Sequence, residues 1–200
     1  MNEKIARDIE TLRSIMSDIP EMEGVELAMR DGFIMMSPLK PVHNPTTWEI
    51  AGMLKAQLGP EWAVSGDVRF KHPTWAHDNA PDVFVWSAGA QQRGRTDEPA
   101  DLIEFACEVV SPSSVENDYL DKAVAYGSVP VPAYLILDPY TRRATLHSHP
   151  ANGAYHRCEY FDYGDVVKVD LPAGQITLDT AELPAAPQDE QRSEWPVLQR

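Results

Sequence analysis

Residues 108–122 read EVVSPSSVENDYLDK, and the fold turns on how this stretch is taken. It begins inside a strand-like apolar run, breaks at Ser-Pro-Ser-Ser and resumes with helical character. The run it closes, LIEFACEVV (102–110), alternates: Ile103, Phe105, Cys107 and Val109 point one way, and Leu102, Glu104, Ala106, Glu108 and Val110 the other. Glu108 therefore lies on a mixed face. Were that face turned to solvent, Glu104 and Glu108 would need no explanation. A carboxylate at the end of a central strand is also where α/β folds place their ligands.

Ser113-Ser114-Val115-Glu116 fits a capping box, with Ser113 as N-cap and Glu116 reaching back, so a helix is predicted from Val115 to about Gly127. Asp118 and Lys122 are spaced i, i+4 on it, a pair that contributes about 0.2–0.5 kcal/mol when exposed. Lys122 also shares a stripe with Tyr119, Ala123 and Tyr126, which gives its ammonium a route along apolar surface back towards Glu108.

Upstream, WAVSGDVRF (62–70) and PDVFVWS (81–87) read as strands, the second followed by the loop QQRGRTDEPA. Asp82 stands at the start of its strand, where an aspartate after proline is also an ordinary turn residue. If the strands holding Asp82 and Glu108 are neighbours, the two carboxylates converge. Paired carboxylates with water suit Mg²⁺ or Mn²⁺, which take hard oxygen ligands and leave positions for phosphate oxygens and a nucleophilic water. AYLILD (133–138), nearly all apolar, predicts a central strand buried on both faces. The short strands beyond it predict an antiparallel C-terminal third.

Towards the N-terminus, EKIARDIETLRSIMSDI (3–19) has the period of an amphipathic helix, and VELAMRDGFIMMSP predicts a β-hairpin turning at Asp-Gly. A second helix is expected from Thr46 to Leu58, with Trp48, Ile50, Ala51, Leu54 and Leu58 on one side and His43 just ahead of it. From Pro184 the pattern has no period, so residues 184–200 are expected to form a flexible tail after one domain of residues 1–183. The N-terminal helix needs an apolar surface, its own sheet's or that of a second copy in a homodimer.

Two hundred residues are enough for a core without disulfides or metals. Cys107 and Cys158 have no metal-type spacing, no signal-peptide pattern precedes residue 20, and no apolar run is long enough to span a bilayer. A cytoplasmic protein without a membrane span is expected. The net charge of −14 argues against an extended nucleic-acid face, and confines any phosphate contact to local basic clusters, Arg69, Lys71 and His72, or Arg93 and Arg95. His147, His149 and His156 lack the carboxylate or cysteine pattern of a zinc site.

The order of a hairpin with Asp-Gly, then Ser-Pro and a histidine before a helix, then PDV, then EVVSPSS with Asp, Lys and Tyr following, then AYLILDP, resembles the Uma family, also catalogued as domain of unknown function 820. The resemblance covers roughly residues 24–180 and is most specific over 108–139. It implies the PD-(D/E)XK restriction-endonuclease-like superfamily: an α/β (α+β) fold with a mixed β-sheet flanked by helices, and additional antiparallel strands in the C-terminal third. The superfamily's usual lysine, two residues after the glutamate, is replaced here by Val110. The resemblance gives that role to Lys122 on the following helix. It further implies Asp82 and Glu108 as ligands of Mg²⁺ or Mn²⁺, His43 as an accessory group, and DNA as substrate of a metal-dependent endonuclease. The alternative is a non-catalytic binding or assembly module that keeps the nuclease fold, favoured by the acidic charge and by Val110.

Overall fold

The fold is described from a computed structural model. It covers residues 42–66, 68–90 and 97–192, the two strands of the N-terminal hairpin, and Thr11, Ser14, Ile15, Asp18 and Ile19. The chain divides into two compact units, residues 1–41 and 42–200.

In the first unit, β1 (Val25–Arg30) pairs antiparallel with β2 (Phe33–Pro38), in register from Val25 opposite Pro38 to Arg30 opposite Phe33. That is the hairpin expected around Asp31-Gly32. Of the predicted helix over 3–19, Thr11, Ser14, Ile15 and Asp18 are helical, and most of the remainder lies outside the described residues.

The second unit begins with helix α1 (His43–Gln57), then β3 (Trp62–Ser65), β4 (Arg69–Lys71), β5 (Val83–Ser87), β6 (Asp97–Pro99) and β7 (Phe105–Val109). A π-helical turn at Asn117–Asp121 leads into α2 (Lys122–Ser128). There follow β8 (Ala133–Asp138), β9 (Arg143–Ala151), β10 (Ala154–Asp162), β11 (Val166–Leu171) and β12 (Gly174–Asp179). The main sheet has the order β10-β9-β8-β7-β5-β3. Only β7 and β8 pair in parallel within it. A parallel pair needs a crossover, and the segment carrying α2 supplies it. All six residues of β8 are buried, as its apolar run predicts.

The alternation along β7 sorts side chains between two cores. Phe105, Cys107 and Val109 join Ile50 and Leu54 of α1 on one face. Ala106 and Val110 join Phe84, Tyr126 and Tyr134 on the other. Cys107 is thereby sequestered in the first core, facing away from Glu108, as expected of a packing residue.

Three details differ from the sequence expectations. First, WAVSGDVRF is two strands in different sheets. A Cβ on Gly66 would lie 2.3 Å from the backbone oxygen of Asp82, so the chain passes Asp82 at a distance only glycine permits. Gly66→Ala is expected to cost about 1–3 kcal/mol, because backbone has to move. Denaturant unfolding within error of wild type would contradict this. Second, α1 begins at His43 rather than Thr46, and Trp48, expected on the packed side, is 61% exposed. Third, the helix after β7 is not capped by Ser113 and Glu116. The Ser114 hydroxyl oxygen accepts from the backbone N–H of Ser111 at 2.9 Å, and the Ser114 N–H donates to the Ser111 carbonyl at 3.0 Å. Residues 112–114 form a turn, and the helix begins at Val115 as predicted, its first i, i+4 bond running from the Asp118 N–H to Ser114 O at 2.8 Å.

Residues 184–192, assigned by sequence to the tail, run back along the second unit. The Ala186 N–H donates to Pro139 O and the Arg192 N–H to Tyr140 O, and Ala186 is buried with Val42 and Tyr140. No helix among the described residues is long and apolar enough to cross a membrane.

Candidate active site

In the antiparallel β5–β7 pair, Val83 stands opposite Cys107. One step further along both chains sets Asp82 against Glu108. The backbone confirms the approach: the Asp82 N–H lies 3.4 Å from Glu108 Oε2, and the Val109 N–H donates to Asp82 Oδ2 at 2.8 Å. Two residues 26 apart in sequence are held by the ladder itself.

Around this pair the other sequence candidates assemble. His43, first residue of α1, places Nε2 3.0 Å from Asp82 Oδ2. Since an ionised carboxylate only accepts, that contact assigns the proton to Nε2. Lys122 extends its ammonium to Glu108 Oε2 at 2.9 Å and to Asp118 Oδ1 at 2.8 Å. The i, i+4 relation of Asp118 and Lys122 is as anticipated, but the pair is not on the surface. Asp118 is 1% exposed and Glu108 likewise 1%, so the mixed face of β7 is covered.

Three further residues, read from sequence only as parts of the helix and its cap, belong to the site. Asp118 takes the second arm of Lys122, and its Oδ1 has no donor apart from that ammonium. Tyr126 donates its hydroxyl to Glu108 Oε1 at 3.0 Å, and the Ser114 hydroxyl bonds Asp118 Oδ2. The π-helical turn sits over these contacts, carrying Asp118 within it and Lys122 directly after it. The stripe of Tyr119, Lys122 and Tyr126 carried a usable signal; nothing in the sequence spacing marked Asp118 as buried.

The electrostatics follow from this packing. Burial pushes the Asp82 carboxyl up, but the His43 hydrogen bond and charge, the Val109 N–H and Lys122 outweigh it and hold the group below its ordinary value. For Glu108, burial dominates and raises the carboxyl well above 4.5, against the attraction of Lys122. Asp118 is raised for the same reason. Lys122 is raised despite burial, because Glu108 and Asp118 both stabilise its charge. Among the described residues no three histidine, cysteine, aspartate or glutamate side chains converge as a ready-made metal cage. His147 instead stacks on Tyr134, with ring centres 5.9 Å apart, and Arg93 and Arg95 lie outside the described residues.

A mixed sheet flanked by helices, with antiparallel strands added at its C-terminal end, is the fold of the restriction-endonuclease-like nucleases. The architecture matches a crystal structure from Anabaena variabilis described as "a putative nuclease belonging to DUF820", at a TM-score of 0.53 and 17% identity, over 79% of this chain and 88% of that one. The profile of the Uma2 family, described as "Putative restriction endonuclease", matches residues 14–181, and the chain belongs to that family. No curated protein matches it significantly.

Proposed function

We propose that this protein is a divalent-metal-dependent endonuclease that hydrolyses phosphodiester bonds in DNA, with Asp82 and Glu108 holding Mg²⁺ or Mn²⁺. The observation that carries the reading is the β5–β7 register, which sets these two carboxylates against each other with Lys122 on Glu108.

The donor set fits such an ion. Asp82, Glu108 and Asp118 are three carboxyl groups served by one ammonium, so a divalent cation would add the positive charge that favours their ionised forms. Two protein carboxylates are few, but Mg²⁺ commonly keeps several waters and substrate oxygens in its shell. Bound there, the metal would supply Lewis-acid stabilisation of the phosphoryl group and lower the pKa of a water.

The chain's own groups do the rest. Asp82, kept ionised, is oriented by the Val109 N–H and by His43, which acts as a positioning residue. Lys122 spends two of its three N–H donors on Glu108 and Asp118, and the third can hold a water or a phosphoryl oxygen as charge builds there. Tyr126 fixes the Glu108 carboxylate from the other side.

Supercoiled plasmid and single-stranded DNA incubated with Mg²⁺ or Mn²⁺ should yield nicked or shortened products, suppressed by EDTA and absent with Glu108→Gln. Intact metal binding without cleavage of any substrate would instead favour the non-catalytic module.

A further inference from the structure

A second feature lies on the same face of the sheet as the carboxylates. Between the segment after β4 and the helical crossover is a cleft of about 470 Å³, lined by Trp75, His77, Asn79, Asn117 and Asp121 among others. That volume falls in the range of small-molecule sites, about 300–1,000 Å³. Trp75 is fixed in it: its indole N–H donates to Ala125 O at 2.9 Å, and its ring packs edge-on against Tyr126, centre to centre 5.8 Å. Tyr126 is the residue that bonds Glu108. One aromatic ring separates the cleft from the carboxylate site.

The polar lining suits a base rather than a phosphate. Asn117 and Asn79 carry amide donors and acceptors, and Asp121 offers acceptors that would repel a phosphate but receive an exocyclic amine. Phosphate-binding charge lies next to it instead. Asn79 is bonded through its backbone to Phe70 of β4, and Arg69 and Lys71 on either side of Phe70 are exposed. Both approach Asp78, at 3.8 and 4.0 Å. A basic strand edge beside an aromatic cleft is the arrangement by which proteins track an unpaired strand, stacking its bases while binding its backbone.

We infer that the cleft receives an unpaired base next to the scissile phosphate, so that the substrate is single-stranded DNA or a duplex interrupted by an unpaired nucleotide. The inference rests on the nuclease reading above and names its substrate class. It also agrees with the charge of −14, which suits a few local phosphate contacts better than a long duplex track.

The test is binding, in EDTA, of three labelled probes followed by fluorescence anisotropy: a short single strand, its blunt duplex, and that duplex with one bulged base. The strand and the bulged duplex are expected to bind about tenfold tighter than the blunt duplex. Trp75→Ala or Asn117→Ala should remove that preference, given the usual contribution of base stacking. If Trp75→Ala does not fold, Trp75→Phe combined with Asn117→Ala carries the test, since Asn117 is exposed. Equal affinity for blunt duplex, or unchanged strand binding in the folded variants, overturns the inference. Because no hydrolysis is needed, the two readings separate. Cleft-dependent binding without cleavage under any metal would overturn the hydrolase alone, and cleavage of blunt duplex without preference would overturn the cleft alone.

Discussion

Lys122→Met is expected to destabilise the fold by about 3–5 kcal/mol at neutral pH, the usual cost of removing one partner from a buried ion pair. The side chain of Lys122 is 13% exposed, and the side chains of its partners Glu108 and Asp118 are 1% and 2% exposed, so solvent screens the cluster little. Methionine keeps most of the volume, which leaves the lost charge as the main change. Against a typical domain stability of about 5–15 kcal/mol this is a large fraction, visible in urea or thermal unfolding.

The pH dependence has a definite sign. Burial already raises Glu108 above 4.5, and removing Lys122 takes away its strongest lowering influence. A carboxyl raised in the folded state favours folding when protonated and opposes it when ionised. The variant should therefore lose stability as pH rises from about 4.5 through its folded value, and approach wild type at acid pH, where the carboxyl is protonated folded or unfolded. At the alkaline end the wild type loses the contribution of Lys122 as pH climbs through that group's raised pKa. Adding Glu108→Gln to Lys122→Met should recover part of the loss. A Lys122→Met protein within about 1 kcal/mol of wild type across pH 5–8 would show that the ammonium does not hold these carboxylates together.

Glu108→Gln alone is expected to separate function from stability. Metal affinity by titration calorimetry, and metal-dependent cleavage with it, should fall by about two orders of magnitude or more, since even groups that only orient metal ligands are worth about 10–100-fold. Unfolding stability should stay level or rise. The raised carboxyl is a burden on the fold above pH 4.5, which offsets the loss of one acceptor when the amide keeps its oxygen for Tyr126, and Lys122 retains Asp118. Asp82→Asn should lose metal in the same way but also lose stability. The Asp82 carboxyl is lowered on folding, so it stabilises above its ordinary value of 3.8 and loses that contribution as pH falls through the folded one. Wild-type metal affinity in both variants would remove Asp82 and Glu108 from the proposed site.

Much of this arrangement was legible before any coordinates. The alternation in LIEFACEVV separated Glu108 from Cys107, the apolar run AYLILD marked the central strand, and the Tyr119–Lys122–Tyr126 stripe pointed the lysine inward. Other elements were misplaced for identifiable reasons. Ser114 rather than Ser113 closes the turn ahead of the helix, because its hydroxyl is the one that reaches the Ser111 N–H. Trp48 was grouped with the packed side of α1 but stands two residues from Ile50, off the stripe that Ile50 and Leu54 set, and stays exposed. Gly66 splits one apparent strand in two because the backbone of Asp82 lies too close for a side chain.

By itself the sequence determined the alternating faces and the strand–helix order, since these depend on local periodicity and short-range sterics, while a shared site for Asp82, Glu108 and Lys122 was what the family resemblance implied. Only the tertiary structure decided that Asp82 stands opposite Glu108, that His43 reaches Asp82 from a helix packed on the other face, and that Asp118 is buried rather than solvated. The reason is physical. Register between strands and the covering of a sheet face come from contacts among distant segments, and the cost of removing one partner of a charge pair, a few tenths of a kcal/mol in water or about tenfold more when buried, depends on that covering.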